Sequence, residues 1–341
     1  MRKKTAGIVT LFASQNFGAF LQGYAMQTVL ERYGYKTEFL RYSSHDAQEF
    51  IFMVKTKNIR LVLFRLKQYQ KYLQSRNSLH IAKRKYRGEQ LDLAVIGSDT
   101  LWDVQNPTID PTDFYLGKGL NASRIIAYAP SANSTSAQEF LQVYRDSEPF
   151  VTFTAIGVRD QNTSNLVKEI TGKPATVVLD PTLLLDKEDY EVSEPKYSGK
   201  YILVYGYSFT DEERAIICEI AKKRNAKTIS VGLLNSWCDE NVVATVPEFL
   251  GYIQKAEYVF TGTFHGTIFS IIMEKKFISF ARKNYKVIDL LQKLGMENRN
   301  GSVDIERCRE LCDTEIDYPA FRKRLLELRK KSICYLEKLI K

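Results

Sequence analysis

One of the three histidines of this 341-residue chain, His265, lies in a glycine- and threonine-rich turn between an apolar run and a helical run. The segment reads YVFTGTFHG, Tyr258 to Gly266, and TIFSIIM follows directly. The first N–H groups of a helix lack intrahelical acceptors and lie at the positive end of its dipole, so this turn favours a bound anion. A histidine there can donate a hydrogen bond to a phosphate or carboxylate, and the ordinary histidine pKa of about 6.5 suits proton transfer at neutral pH. The alternative is that His265 only caps its own helix.

A polar, glycine-containing turn follows the first predicted strand. It reads SQNFGAFLQ, residues 14–22, and opens a predicted helix. In α/β folds, ligands bind at the carboxyl ends of parallel strands. Asn16, Gly18 and Gln22 are therefore candidates to bind sugar hydroxyls or an anion. For Asn16, a helix N-cap is the alternative.

A third predicted strand ends in IGSDTLWD, residues 96–103. Its glycine permits a close backbone approach, and Ser98, Asp99 and Trp102 offer a hydroxyl, a carboxylate and an aromatic face. Carboxylates bind pairs of sugar hydroxyls, and aromatic faces pack on sugar C–H groups. The segment is thus a candidate sugar site, with an aspartate N-cap beside a core tryptophan as the alternative.

Two further strand ends carry charged residues. Arg159 in GVRD is well shaped for bidentate recognition of a phosphate or carboxylate, although an ion pair with Asp160 or another carboxylate is the alternative. The run LDPTLLL, residues 179–185, places Asp180 at a strand end, where a structural turn is the favoured interpretation.

A glycine-bearing turn, YGYSF, also precedes a helix in the C-terminal half. Its residues Gly206, Tyr207 and Ser208 are expected to face the same sheet edge as the His265 turn, so that two helix N-termini converge on a phosphate pocket. The sequence has no G-x-G-x-x-G or Walker pattern, which disfavours dinucleotide binding and nucleotide hydrolysis.

These motifs require a fold that brings strand ends together. Short β-type runs alternate with helical periods in both halves, the pattern of parallel sheets covered by helices, and residues 186–200 are turn-rich and lack an apolar period. We therefore predict an α/β fold with two Rossmann-like domains facing a central cleft. The predicted units are residues 1–188, with a basic helical insertion at 46–90, and residues 198–315. Residues 316–341 form an amphipathic helix, for which packing back across the domains is favoured over binding a partner.

Composition limits the remaining options. The length suits two domains, and five cysteines without C-x-x-C spacing argue against disulfides and structural zinc. We expect no metal, no cofactor and a cytoplasmic location. The start, MRKKTAGIVTLF, has an apolar run too short to span a bilayer, so neither a cleaved signal nor a transmembrane helix is expected.

The net charge of +9 is concentrated in one region. From Phe50 to Gly88 there are eleven Lys or Arg residues and no Asp or Glu. Apolar and aromatic residues recur there at helical spacing, a pattern typical of helices on an anionic bilayer. A solvated covering helix is the alternative, and nucleic-acid binding is disfavoured because no nucleic-acid motif accompanies the charge.

Taken together, the motifs NFGAFLQGYAMQ, IGSDTLWD, IAYAPSA, GVRD, LDPTLLL and TGTFHGTIFS resemble, in this order, the polysaccharide pyruvyl transferase family. The resemblance runs from about Gly7 to Phe280. It implies a GT-B-like fold and transfer of pyruvate from phosphoenolpyruvate onto a sugar as a ketal. Two positions depart from the family pattern: Thr263 replaces an arginine that many members carry, and GSDTLWD has Thr100 and Asp103 where the family has GSDQ-W-N.

The implied reaction assigns roles to the candidate residues. His265 is the expected acid and phosphate partner, and Asp99 the expected base or sugar anchor. The remaining residues divide between a donor side, Arg159, Thr261, Gly262, Thr263, Phe264, Gly266, Gly206, Tyr207 and Ser208, and an acceptor side, Asn16, Gly18, Gln22, Ser98 and Trp102. The donor substrate is phosphoenolpyruvate, and the chemistry needs no metal or nucleotide.

The predicted function is a pyruvyl transferase acting on a surface-polysaccharide precursor. A lipid-linked oligosaccharide is the expected acceptor, which would bring the protein to the inner face of the plasma membrane. The alternatives are a glycosyltransferase of the same fold using a nucleotide sugar, and a non-catalytic sugar-binding paralogue, which Thr263 keeps open.

Overall fold

The computed structural model describes residues 2–12, 15–42, 51, 55–107, 109–282 and 284–341. Ser14, His45 and part of the predicted insertion 46–90 lie outside these residues. Within them, two all-parallel sheets confirm the predicted α/β class. The C-terminal helix packs back on the first sheet, also as predicted.

The N-terminal sheet has seven strands in the order β3-β2-β1-β4-β5-β6-β7 among the described residues. They are β1 Thr5–Val9, β2 Lys36–Arg41, β3 Ile81–Lys85, β4 Leu93–Ile96, β5 Ile125–Tyr128, β6 Ala155–Val158 and β7 Thr176–Val177. The central strand β4 is apolar and buried at every residue, as expected for a strand covered on both faces. The order reverses beside β1, which places the ligand-binding crevice at the carboxyl ends of β1 and β4.

In the C-terminal half, a five-stranded sheet repeats this design with the order β10-β9-β8-β11-β12. Its strands are β8 Tyr201–Tyr205, β9 Lys227–Val231, β10 Glu240–Val242, β11 Tyr258–Thr261 and β12 Phe277–Ser279. The reversal here lies between β8 and β11, and the His265 turn follows β11 directly.

Helices cover both sheets. Their bounds are α1 Phe17–Arg32, α2 Ile59–Ser75, α3 Ala137–Val143, α4 Gln161–Thr171, α5 Asp211–Lys223, α6 Val246–Lys255, α7 Phe264–Ile272, α8 Tyr285–Leu294, α9 Ile305–Asp313 and α10 Tyr318–Ile340. None of the helices in the described part of the chain is both long and apolar enough to cross a membrane.

Helix α1 joins the two halves. It contacts α6 and α7 of the second half as well as the short turn Pro181–Leu184 of the first. The Phe17 ring stacks on Phe249 with ring centroids 4.2 Å apart. One hydrophobic cluster therefore includes buried side chains from both sheets, which holds the strand ends of the two halves close together.

Helix α10 crosses from the second half to the first. Ser332 Oγ accepts a hydrogen bond from the Leu179 N–H at 2.9 Å, and Arg329 donates to the Leu183 and Leu185 carbonyls. Farther along, the Tyr35 hydroxyl donates to the Ile340 carbonyl. These contacts fix the segment just before and after Asp180.

The structure corrects one prediction and adds elements that the sequence patterns did not reveal. The segment 46–90 is not wholly helical, since Ile81–Lys85 forms the edge strand β3. This strand has three exposed basic residues in succession, so it lacks the alternation that marks a strand. The elements β10, α3, α8 and α9 were also not predicted.

Candidate functional site

Three side chains from three strand ends meet where the two sheets face each other. Arg159 follows β6, Asp180 lies three residues beyond β7, and His265 is the second residue of α7. Arg159 Nη1 lies 3.0 Å from Asp180 Oδ2, and His265 Nε2 lies 3.7 Å from the same oxygen. The structure thus brings together two predicted residues, Arg159 and His265, around a carboxylate to which a purely structural role had been assigned.

This cluster is buried yet incompletely paired. The side chains of Arg159, Asp180 and His265 are only 3%, 0% and 10% exposed. Among the described residues, neither Arg159 Nε nor His265 Nε2 has a hydrogen-bond partner. Buried polar atoms are nearly always hydrogen-bonded, so these two nitrogens are positioned for an acceptor from a ligand.

Asp180 has a structural as well as an electrostatic role. Its Oδ1 accepts hydrogen bonds from the N–H and hydroxyl of Thr182, which begins the turn after β7. Burial alone would raise the pKa of Asp180, but the adjacent His265 and Arg159 side chains and the Thr182 hydroxyl outweigh burial and hold this pKa below its ordinary value. The carboxylate is therefore charged at neutral pH.

Gly18 allows the His265 ring to cross between the domains. A Cβ atom at Gly18 would lie 2.1 Å from His265 Nδ1, closer than any real contact. Asn16 caps α1 by accepting from the Gly18 N–H at 2.8 Å, and its amide donates to the Tyr207 hydroxyl at 2.9 Å. The sequence suggested hydrogen bonding to a ligand at Gly18, but its structural role is to make room for the ring.

Asp99 lies on the other side of Arg159. Its Oδ1 is 3.9 Å from Arg159 Nη2, and the side chain is 13% exposed. Asp99 has a left-handed φ of 81°, and Gly97 before it has φ 119° with no room for a Cβ, which would lie 2.2 Å from the Tyr128 carbonyl oxygen. This tight backbone turn brings the predicted base next to the predicted phosphate ligand.

Lys286, near the start of α8, was missed by the sequence reasoning. It lines a small cavity with Arg159, Asp180 and Phe264. Burial and the nearby Arg159 guanidinium lower the pKa of Lys286 to about 8, although Asp99, Asp160 and Asp103 act in the opposite direction. Two cations sharing one cavity repel each other, so their placement favours an anion between them.

The N-terminus of α7 has the geometry that the sequence predicted. Thr263 is the N-cap and accepts from the Gly266 N–H at 2.9 Å, while Thr261 donates to the Tyr205 carbonyl at 2.6 Å. The N–H groups of Phe264 and His265 belong to the first turn and so have no intrahelical acceptor. The Phe264 ring packs 4.5 Å from the Arg159 guanidinium carbon. These contacts aim the start of α7 at the Arg159 cluster.

The turn Gly206 to Ser208 does not supply the second helix N-terminus that was expected. The helix that follows, α5, begins with Asp211, Glu212 and Glu213, and Thr210 and Glu213 form a capping box. Three carboxylates in its first turn repel a phosphate, so α5 does not contribute to an anion site. Arg282 pairs with Glu213 and donates to the Ser208 carbonyl instead.

Two predicted acceptor residues form a buried scaffold. Gln22 donates to Thr10 Oγ1 and to the Ala19 carbonyl, while its Oε1 accepts from the N–H and hydroxyl of Ser98. Both Gln22 and Ser98 are fully buried. Their hydrogen bonds tie the ends of β1 and β4 together, which leaves these side chains unavailable to a sugar.

Trp102 is likewise part of the core. It is fully buried, its Nε1 donates to the Tyr115 carbonyl at 2.9 Å, and three phenylalanine rings surround it, Phe140, Phe150 and Phe153. The ring has no open face for a sugar. Trp102 is therefore a core residue, which was the alternative interpretation of the sequence.

A cavity of about 270 Å³ lies near the His265 cluster, and residues of both domains line it. Asn16 and Phe17 line it from α1, Tyr207 lines it from the turn after β8, and Gly232 from the end of β9. Helix α2 lines one side of it with Leu61, Phe64 and Arg65. Aromatic faces and polar groups together suit a sugar ring, and Asn16 links the cavity to Gly18 and His265. For brevity this is called the α2 cavity.

A cavity larger than the α2 cavity, of about 490 Å³, lies elsewhere along α1. Its lining comes from Phe20, Leu21 and Tyr24 of α1, the end of α2, the linker around Tyr190 and the start of α6. It contains none of the predicted site residues, and its size alone does not make it the site.

A family model described as polysaccharide pyruvyl transferase matches residues 16–284. The chain belongs to this family. The match spans the α1 start, Asp99, Arg159, Asp180 and His265, which confirms the resemblance seen in the motifs. No curated protein sequence matches the chain.

Solved structures similar to this family member share its fold. UDP-GlcNAc 2-epimerase from Neisseria meningitidis, bound to UDP-GlcNAc, has a TM-score of 0.53 at 10% identity, with 98% of this chain and 100% of that one covered. The UDP-GlcNAc 2-epimerase from Methanocaldococcus jannaschii has a TM-score of 0.52 at 11% identity, covering 92% and 93%. The TM-scores show a shared two-domain, GT-B-like fold. Identities this low say nothing about the reaction.

The described residues of this family member do not meet the requirements of a metal-binding site. Across residues 2–12, 15–42, 51, 55–107, 109–282 and 284–341, no group of three or more His, Cys, Asp or Glu residues is arranged to hold a metal ion. The cluster at His265 instead combines cations, helix N–H groups and one buried carboxylate, a set suited to an anionic substrate.

Proposed function

We propose that this chain transfers the pyruvyl group of phosphoenolpyruvate to two hydroxyls of a sugar in a surface-polysaccharide precursor, forming a ketal. The observation that carries the proposal is the pair of buried nitrogens Arg159 Nε and His265 Nε2, which form no hydrogen bond with any described residue and lie beside the first turn of α7. Phosphoenolpyruvate has a charge of about −2.5 to −3 at pH 7 and presents both a phosphate and a carboxylate as acceptors.

The charges of the cluster support a dianionic or trianionic ligand. Arg159 and Lys286 contribute two cations, while Asp180 neutralises part of this charge and orients both Arg159 and His265. Lys286 also supplies a cation to the cavity lined by Phe264, the residue that follows Thr263, which replaces the arginine of many family members. Thr263 therefore does not by itself favour a non-catalytic paralogue.

The residues suggest how the reaction proceeds. His265 donates a proton to the methylene carbon of the enol, and a sugar hydroxyl adds to the neighbouring carbon while Asp99 accepts its proton. The bond from that carbon to the phosphate oxygen then breaks, and Arg159, Lys286 and the α7 N–H groups stabilise the departing phosphate. A second sugar hydroxyl adds to the same carbon and gives its proton to the departed phosphate, which completes the ketal and leaves hydrogen phosphate.

Donor binding also requires the domains to separate at this point. The cavity between Arg159, Lys286 and Phe264 has a volume of about 20 Å³, room for about one water molecule. Phosphoenolpyruvate is far larger, so Lys286 and His265 of the second domain must move away from Arg159 and Asp180 of the first.

The test is calorimetry with phosphoenolpyruvate, followed by mass spectrometry after incubation with a panel of lipid-linked oligosaccharides. We expect saturable heat with phosphoenolpyruvate, weakened tenfold or more in His265→Ala because a charge-assisted hydrogen bond is lost. His80→Ala is the matched control, since His80 is an exposed histidine paired with Glu31. Product formation appears as the mass gain of a pyruvyl ketal.

Other outcomes identify the alternatives. Heat with UDP-sugars but none with phosphoenolpyruvate would indicate a nucleotide-sugar glycosyltransferase. Heat with neither donor would indicate a non-catalytic sugar-binding paralogue. Equal binding of phosphoenolpyruvate by wild type and His265→Ala would remove His265 from the donor site.

A further inference from the structure

Helix α2 presents a stripe of large apolar side chains to solvent. Ile59 and Leu63 are 75% and 54% exposed, Leu66 is half-buried, and Leu73 is 39% exposed. These residues are spaced by four, three and seven positions, so they lie on one face of the helix. Exposed apolar residues are normally scattered, and a continuous stripe marks an interaction surface.

The opposite face of α2 is fixed to the second domain. Gln68 donates to the Ala244 carbonyl and accepts from the Ala244 N–H, and Ser75 Oγ accepts from the Val246 N–H. Lys71 forms an ion pair with Glu248 at 3.1 Å. With its inner face held by these contacts, α2 does not turn its outer stripe inward in this conformation.

In the sequence that contains the stripe, every charged side chain is a Lys or an Arg. Lys55, Lys57, Arg60 and Lys67 are exposed and flank Ile59 and Leu63, and the whole segment 50–88 has no acidic residue. An apolar face bordered by Lys and Arg is the pattern of a helix that lies in the interface of an anionic bilayer. A protein partner of ordinary mixed charge would not require this exclusion of acidic residues.

We propose that the outer face of α2, defined by Ile59, Arg60, Leu63, Leu66 and Lys67, docks on an anionic lipid bilayer. The inner face of the same helix lines the α2 cavity through Leu61, Phe64 and Arg65. A helix with its side chains is about 10 Å across, so a sugar attached to a membrane lipid lies within that distance of the cavity. The purpose of docking, delivery of a lipid-linked acceptor, rests on the proposed function; the docking itself does not.

Flotation of the whole protein with vesicles tests this surface. The vesicles contain either equal parts of phosphatidylglycerol and phosphatidylcholine, or phosphatidylcholine alone. We expect the protein to float with the anionic vesicles only, and to be released at about 0.5 M salt because screening shortens the range of the attraction. Arg60→Gln and Lys67→Gln are each expected to weaken partition about fivefold.

The apolar contribution is tested by the double variant Ile59→Ser and Leu63→Ser, which we expect to weaken partition about tenfold or more. Val151→Ser is the matched control, because Val151 is 69% exposed but lies outside α2 and outside the basic segment. Its partition should equal that of the wild type. Circular dichroism and urea unfolding establish that each variant is folded.

Several results would overturn the proposal. The first is recovery of the wild type from the soluble fraction with both kinds of vesicle. The second is equal flotation of wild type and the double variant. Dimerisation lost in the double variant, measured by sedimentation, would assign the stripe to a second copy of the chain, and binding to duplex DNA but not to vesicles would assign the charge to nucleic acid. A protein that floats as expected but gives no heat with phosphoenolpyruvate would contradict the proposed function alone.

Discussion

The two ends of the cleft differ in how they are built. At one end, Arg159, Asp180 and His265 come from three strand ends, are almost fully buried, and are held at distances of 3.0 and 3.7 Å. At the other end, the α2 cavity is open, nearly all of its lining comes from loops and helices, and its polar groups are partly exposed. A buried, charged end suits a small donor that must be oriented for chemistry, whereas an open end suits an acceptor of variable size.

The difference predicts that substitutions at the buried end are the more costly ones. Asp180→Asn removes the only carboxylate within hydrogen-bonding distance of Arg159 among the described residues and leaves the buried guanidinium with Asp99, at 3.9 Å, as its nearest carboxylate. We expect the free energy of unfolding, measured in urea, to fall by about 3–5 kcal/mol. Asp211→Asn is the control, since its pair with Arg214 is exposed and worth about 0–1 kcal/mol.

The pH dependence of this pair has a definite sign. Because the folded-state pKa of Asp180 is lowered, its stabilisation is present in full above the ordinary aspartate pKa of about 4 and is lost as the pH falls toward the folded value. The cost of Asp180→Asn should thus be full at pH 5 and shrink as the pH falls below about 4. A cost that stayed the same between pH 5 and pH 3 would show that the carboxylate is not the ionised partner inferred here.

A second prediction concerns the closest contact between the domains. Gly18→Ala places a methyl group against the His265 ring, and overpacking of this kind is expected to cost about 1–3 kcal/mol. His265→Gly removes all three atoms that the methyl would meet, so the two substitutions should be strongly non-additive in a double-mutant cycle. Additive costs, measured by urea unfolding, would show that the ring does not cross at Gly18.

A third substitution examines the charge of the donor end. Lys286→Gln is expected to weaken phosphoenolpyruvate binding about tenfold in calorimetry, the effect of losing one hydrogen bond to a charged group. An anion favours the protonated amine, so wild-type affinity should fall as pH rises through the Lys286 pKa of about 8, with proton uptake visible in buffers of different ionisation heat. The variant should lose this pH dependence. Lys222→Gln, an exposed lysine of the same domain, should retain it.

The smallest effect is expected on helix α2, which lines the open end with other residues. Lys71→Gln removes an ion pair between α2 and α6 whose side chains are 21% and 16% exposed. The loss of unfolding free energy should be about 0–1 kcal/mol and should vanish at high salt, because the pair lies near the surface. A loss as large as that of Asp180→Asn would contradict the contrast between the two ends.

Much of the buried end was predictable, because each residue follows a strand of a parallel sheet. Such ends meet at one edge whatever the intervening lengths, so Arg159, Asp99 and His265 were correctly expected near one another. Asp180 lies at an equivalent position but was interpreted as a turn, and its contacts with Thr182 show that both roles coexist. Its functional signal was the strand end itself.

The acceptor residues show where sequence patterns fail. Gln22, Ser98 and Trp102 have the residue types of a sugar site, yet they are buried because their hydrogen-bonding groups satisfy one another or the backbone. A polar side chain at a strand end can either hold the scaffold together or contact a ligand. Which of the two it does depends on whether residues distant in sequence satisfy its hydrogen bonds. Lys286 escaped notice for the converse reason: a lysine early in an amphipathic helix is unremarkable until packing places it beside a guanidinium.

The sequence by itself determined the family, the two parallel sheets and the strand ends from which the site is built, because hydrophobic periodicity and local turn chemistry are encoded in neighbouring residues. The tertiary structure alone decided which face of each turn is open, that Gly18 admits the His265 ring, that α5 presents carboxylates rather than an anion site, and that α2 turns an apolar face outward. These properties depend on contacts between residues far apart in the chain, and no local pattern specifies such contacts.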